Sequence, residues 1–216
     1  MPELAFIPTV SKTAVIIEAG PKRTFASALD WPGWARSGRG EEAALETLAA
    51  YRDRYADAIG QDVGDAGFEV IERLKGDATT DMGAPGAKGE IDDEPLTDEE
   101  LHRQIAILDS CWSAFDRTVQ RAAGRSLRPG PRGGGRDLEK IRNHVLEAHG
   151  AYLTAVAGPG KVKDLQAFTD ALWARHRGEL PDSGPRGGRR WTARYAIRRS
   201  AWHLLDHMWE IEDRLD

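Results

Sequence analysis

The chain has a single cysteine, Cys111, so it cannot close an intramolecular disulfide. It has no apolar stretch approaching the roughly 20 residues that a membrane-spanning helix needs. Its first residues lack the charged segment followed by an apolar one that marks a secretory signal. Positive charge is not in excess either: 30 Lys and Arg face 35 Asp and Glu, for a formal net charge of −5 and a pI near 5.7. Such a balance gives no global attraction for nucleic acid. These absences together point to the cytoplasm, with neither a membrane nor a nucleic acid as partner. What the chain does have is 216 residues, 40% apolar and 30% charged, enough for one moderate core and a smaller one. Two unequal domains are expected.

The division falls in the middle. Residues 76–96 are mostly Gly, Asp, Ala, Thr, Pro and Lys, with a buried-looking Met82 and one Ile91, a composition that reads as a linker. Before it, residues 13–19 (TAVIIEA) and 23–30 (RTFASALD) are β-rich runs separated by Gly20-Pro21-Lys22, which is hairpin punctuation. Residues 41–59 then place Leu45, Leu48, Tyr55 and Ile59 at helical spacing, and residues 67–73 (GFEVIER) alternate like a further strand. A helix laid on a small antiparallel sheet buries both apolar faces, so residues 1–75 are expected to form a small α+β module.

The text Leu29-Asp30-Trp31-Pro32-Gly33-Trp34-Ala35-Arg36-Ser37-Gly38, followed by Glu41-Glu42-Ala43-Ala44-Leu45, resembles the corner and helix of the HicB-like fold. The resemblance covers about residues 13–73. HicB-like proteins often carry a separate DNA-binding element, but no helix-turn-helix pattern is present here. The resemblance therefore implies a docking or oligomerisation module rather than a repressor.

Beyond the linker, over residues 97–216, the periodicity becomes helical. Thr97-Asp98-Glu99-Glu100 is a capping box, and Leu101, Ile105, Leu108, Trp112, Phe115, Val119 and Ala122 recur at steps of four and three. Gly124 ends that helix, and a Gly/Pro/Arg loop over 126–135 leads to a second stripe of Leu138, Ile141, Val145, Ala148, Tyr152 and Val156. A third helix is predicted over 162–176, burying Leu165, Phe168 and Leu172. A fourth is predicted over 190–215, with Ile197, Ala201, Leu204, Met208, Ile211 and Leu215 on one side. Four amphipathic helices without a strand signal predict a four-helix bundle, a scaffold that builds metal sites between facing helices.

The fourth helix carries His203 and His207, whose four-residue spacing stacks both imidazoles on one face, about 40° apart and on the flank of the apolar stripe. On the second helix His144 and His149 lie on opposite flanks, about 140° apart. Only one of them can join the pair, and periodicity does not choose. Glu210, one turn past His207, is the nearer candidate for an acceptor on an imidazole or for a general base, whereas Asp206 points elsewhere on the helix.

The strings His144-Val145-Leu146-Glu147-Ala148-His149 and His203-Leu204-Leu205-Asp206-His207 resemble the histidine motifs of the DinB-like superfamily of helical metalloproteins, over roughly residues 97–216. The resemblance implies His144, His203 and His207 as ligands of a divalent metal such as zinc or nickel. His149 stands where an acidic residue is more usual. Three imidazoles leave a coordination position open, as catalytic sites do, where water or a thiol could become a nucleophile. What is known of DinB-like proteins implies the thiol: transfer of a small cellular thiol to an electrophilic small molecule. It also admits a homodimer. A metal-dependent hydrolase and a non-catalytic protein that binds a partner through the HicB-like module are the other two expectations.

His149, His102 and His176 are expected to be solvated or capping side chains, the last at a helix C-terminus whose dipole favours a cation. Trp112, Trp173, Trp202 and Trp209 are expected to fill the core or a domain contact. Arginines cluster twice, at Arg125, Arg128, Arg132 and Arg136 and at Arg186, Arg189, Arg190, Arg194, Arg198 and Arg199. They read as solvated charge or as ion pairs to the acidic linker. If functional, Arg190, Arg194 and Arg199 would suit a carboxylate or phosphate on a substrate.

Overall fold

The computed structural model describes residues 12–130, 135–158, 165–184 and 188–215. Among them are a four-stranded mixed sheet and seven α-helices, an α+β fold. The chain runs β1 (Thr13–Ala19), β2 (Thr24–Ala28), β3 (Ala35–Gly38), α1 (Glu41–Ala50), α2 (Arg52–Ile59), β4 (Phe68–Lys75) and α3 (Ala78–Met82). It continues through a 3-10 turn (Glu90–Asp93) into α4 (Asp98–Ala122), α5 (Leu138–Ala157), α6 (Leu165–His176) and α7 (Ala193–Arg214). No described helix is long and apolar enough to cross a membrane.

The sheet order is β3-β2-β1-β4, with β1 antiparallel to β2 and parallel to β4. The expectation of an antiparallel sheet is thus corrected, because a helical crossover returns the chain to the start of β1, as parallel pairing requires. Val15, Ile16, Ile17 and Glu18 are all buried, so both faces of β1 are covered. On one face Val15 and Ile17 stand opposite Ala28 and Ala26, and they join a core that includes Ala44 and Leu48 of α1. On the other, Glu18 stands opposite Phe25, whose ring meets Trp202 of α7 edge-on with centroids 6.2 Å apart.

The predicted 41–59 helix is broken at Tyr51 (φ −93°, ψ 4°) into α1 and α2, and the Tyr51 ring meets Trp209 of α7 at 4.9 Å. The Trp-Pro-Gly-Trp corner is pinned from inside: Trp34 Nε1 donates to Leu48 O and the Tyr55 hydroxyl donates to Pro32 O, both at 2.9 Å. Gly33 has φ +97°, and a Cβ there would lie 3.0–3.1 Å from Leu205 and Ala201 of α7. Only glycine allows the corner to sit this close to the helix.

Residues 76–96, expected to be a linker without structure, hold α3 and the 3-10 turn and are stitched to both sides. The Glu18 carboxylate accepts the Thr80 hydroxyl at 2.5 Å and the amides of Gly86 and Ala87 at 3.1 and 3.0 Å. From α7, Tyr195 donates its hydroxyl to Gly86 O, and Arg198 forms a two-pronged ion pair with Asp92 at 3.1 and 2.6 Å. Long-range polar anchors supply the order that composition does not. Met82, read as buried, is 71% exposed. The acidic segment does receive arginines, as the ion-pair expectation held: Arg198 on Asp92 and Arg189 on Asp93.

Thr97 and Glu100 form the predicted capping box at the start of α4. Phe168 and Leu172 of α6 are buried as expected, while the predicted first turn at 162–164 lies outside the described residues. The larger correction concerns α7. Instead of one apolar stripe it buries residues on most sides, including Arg194, Arg198, Ser200, Trp202, His203, His207 and Arg214. Its neighbours explain this, since the sheet, the 76–96 segment, α4 and α5 all bond to it or pack against it. A helix covered over most of its circumference keeps a narrow polar strip, Arg199, Asp206, Glu210 and Asp213, that is not buried.

Candidate metal centre

The centre is built where α5 crosses α7. Asp137 caps α5 by accepting the Lys140 amide at 2.8 Å, so His144 falls in the second turn. At the other end of α5, the Trp191 amide just before α7 donates to Ala155 O. The two helices are therefore antiparallel, and His144 lies level with the middle of α7. There, nitrogen atoms of His144, His203 and His207 come within 4.8 Å of one another. His203 Nε2 and His144 Nε2 are 3.2 Å apart. That separation is close to the ~3.3 Å edge of a tetrahedron with metal–nitrogen bonds of about 2.0–2.1 Å. The three ring centroids are 4.7–5.1 Å from one another. These residues lie close enough to hold one metal ion.

Their electrostatics fit the same use. His203 and His207 are buried, and His144 is half-buried. Desolvation, with repulsion from His207, His149 and His144, drives the His203 pKa far below its ordinary value. Desolvation, helped by Arg136 and His207, lowers that of His144. Neutral imidazoles with free lone pairs are what a metal requires. His203 Nδ1 is buried without a hydrogen-bond partner, so the ring is not held by the protein at that atom.

Glu210 fixes the third ring. His207 Nδ1 donates to Glu210 Oε2 at 2.8 Å, which leaves Nε2 as the atom for a ligand bond. The other carboxylate oxygen accepts Arg214 Nη1 at 2.6 Å. The His207 N–H first, and then Arg214, hold the Glu210 carboxyl below the ordinary carboxylate range against the opposing effect of burial. With both oxygens engaged and the group ionised, Glu210 is arranged as an acceptor that orients His207. Asp206 points away, to Arg36 at 3.2 Å.

Other expectations are redirected. His149, expected to be solvated, is buried among Trp112, Tyr152 and Phe168. Its Nδ1 donates to Val145 O at 2.8 Å, and desolvation pushes its pKa down to about 4. His102 is exposed, with Nδ1 beside Asp98 O, and His176 Nε2 meets the Asp98 carboxylate at 2.7 Å. Trp202 and Trp209 make the contacts between α7 and the N-terminal elements.

Arg190, Arg194 and Arg199 have different neighbours. Arg190 donates to Thr154 O and Arg199 to Pro85 O, while Arg194 is buried near Leu96 and His176. Main-chain carbonyls thus engage one nitrogen of Arg190 and one of Arg199. Arg132 and Arg186 lie outside the described residues. The residue that sequence reasoning passed over is Arg214, although its i, i+4 spacing from Glu210 was a readable signal. Comparison with protein-family models, with curated proteins and with solved structures returns no match.

Proposed function

We propose that the chain is a metal-dependent enzyme of the DinB-like type. In this reading α4 to α7 are its four-helix bundle, and residues 1–75 are a HicB-like module docked on it. The observation that carries the proposal is the convergence of His144, His203 and His207 from two helices, with Glu210 fixing the tautomer of His207. Three imidazole ligands suit zinc or nickel and leave at least one position for a substrate. A divalent ion there supplies Lewis acidity, which lowers the pKa of a coordinated thiol or water and so provides a nucleophile at neutral pH. The protein's own part is to hold His144 and His203 neutral, to direct the His207 Nδ1–H to the Glu210 carboxylate, and to exclude water around His203.

The reaction class favoured is transfer of a small thiol to an electrophilic small molecule, which follows from the resemblance of the histidine motifs. Purified protein from metal-replete cells is expected to carry one zinc or nickel per chain by elemental analysis, and His203→Ala to carry none. Thiol consumption in a screen of electrophiles should require both metal and thiol. Turnover that needs metal but no thiol would make the protein a hydrolase, and a metal-free wild type would remove the catalytic reading altogether.

A further inference from the structure

We infer that Arg214 and Glu210 couple the seating of the connection between α4 and α5 to metal binding at the histidines, an inference that rests on the metal-site reading above. Arg214 is 6% exposed, and each nitrogen of its guanidinium makes a hydrogen bond. Nη1 holds Glu210 Oε1 at 2.6 Å, Nε donates to Arg128 O, and Nη2 donates to Arg136 O, both at 2.8 Å. The Arg128 amide returns a bond to Arg214 O at 2.8 Å, and Leu127 bridges to Leu215. Gly135, at φ +140°, leaves room for this guanidinium where a Cβ would lie 2.7–3.1 Å from its atoms.

One planar cation thus clamps both ends of the connection and, with its remaining arm, the carboxylate that orients His207. Arg136 directly precedes Asp137, the cap of α5, so the same clamp sets the height at which α5 presents His144. Two of the three ligands are positioned through Arg214. Because linkage is reciprocal, a metal that selects the oriented His207 must also favour the clamped connection.

The test uses the full-length chain, zinc as the probe, a competing chelator to read affinity, and hydrogen exchange at the Arg128 amide. Zinc is expected to slow exchange at that amide in the wild type. Arg214→Lys, which keeps the charge but not the planar fork, is expected to weaken zinc binding about 10- to 100-fold and to lose the zinc-dependent slowing. Glu210→Gln guards against a misfolded Arg214 variant, because it leaves the clamps on Arg128 and Arg136 in place. It should likewise weaken zinc binding and uncouple the Arg128 amide from it. Wild-type zinc affinity in either variant, or an Arg128 amide indifferent to bound zinc in the wild type, overturns the coupling. A wild type that binds no zinc overturns the metal reading itself, a separate and distinguishable outcome.

Discussion

Arg198 and His203 are buried polar side chains five residues apart on one helix, and their surroundings differ in kind. Arg198 is paired with its counter-ion: Nε and Nη2 grip both oxygens of Asp92, and Nη2 also reaches Ala87 O. Asp92 in turn accepts the Gly89 amide. At the histidines the pairing is incomplete, although His207 bonds Glu210 and the facing Nε2 atoms of His203 and His144 can share one proton. His203 Nδ1 has no partner, and the Nε2 atoms of His203 and His144 face each other across 3.2 Å. A closed polar network compensates its desolvation and holds the 76–96 segment in place. An open one keeps lone pairs available for a group from outside.

Breaking the closed network gives the largest expected effect. Asp92→Ala leaves Arg198 buried without its counter-ion and should cost about 3–5 kcal/mol in denaturant unfolding. The paired replacement Asp92→Leu with Arg198→Met should restore most of that stability and leave metal content unchanged.

Acid acts on the open network. His149 is held neutral with a pKa near 4, against 6.5 for an unhindered imidazole, so the unfolded chain binds the extra proton between those values. Stability is therefore full above about pH 6.5 and falls as pH drops towards 4, by about 3 kcal/mol from this residue. His149→Phe should reduce the pH dependence of the melting temperature over that interval by one proton's worth, leaving the part due to His203 and His144. A variant that retains the wild-type slope would move the effect to another group.

The smallest effect has the opposite sign. His203→Leu removes a nitrogen that the protein does not satisfy, and should leave the metal-free chain as stable as the wild type or about 1 kcal/mol more so, while abolishing metal uptake. Destabilisation as large as that of Asp92→Ala would erase the distinction between the two networks.

Much of this arrangement was readable locally. The hairpin around Gly20, the capping box at Thr97 and the histidine spacing on α7 depend on neighbours within one turn, and the structure has β1, β2, α4 and the His203–His207 stack where those signals put them. The order of residues 76–96 was not readable, because its anchors, Glu18 and Arg198, lie far off in sequence. Nor was the burial of His149, which depends on Trp112 of α4 and Phe168 of α6 closing over one flank of α5. The bonds of Arg190 and Arg199 Nη1 were not readable either, because their carbonyl partners, Thr154 and Pro85, carry no side-chain signature.

By itself the sequence determined three of the four strands, the four long helices after residue 97 and that two imidazoles share a face, since hydrogen bonding between near neighbours and a 3.6-residue turn act over a few positions. Tertiary structure decided that His144 rather than His149 meets that pair, that β4 runs parallel to β1, and that α7 is covered over most of its circumference. Each of those outcomes depends on which faces pack together across tens of residues, and a periodic pattern marks a face without naming its partner.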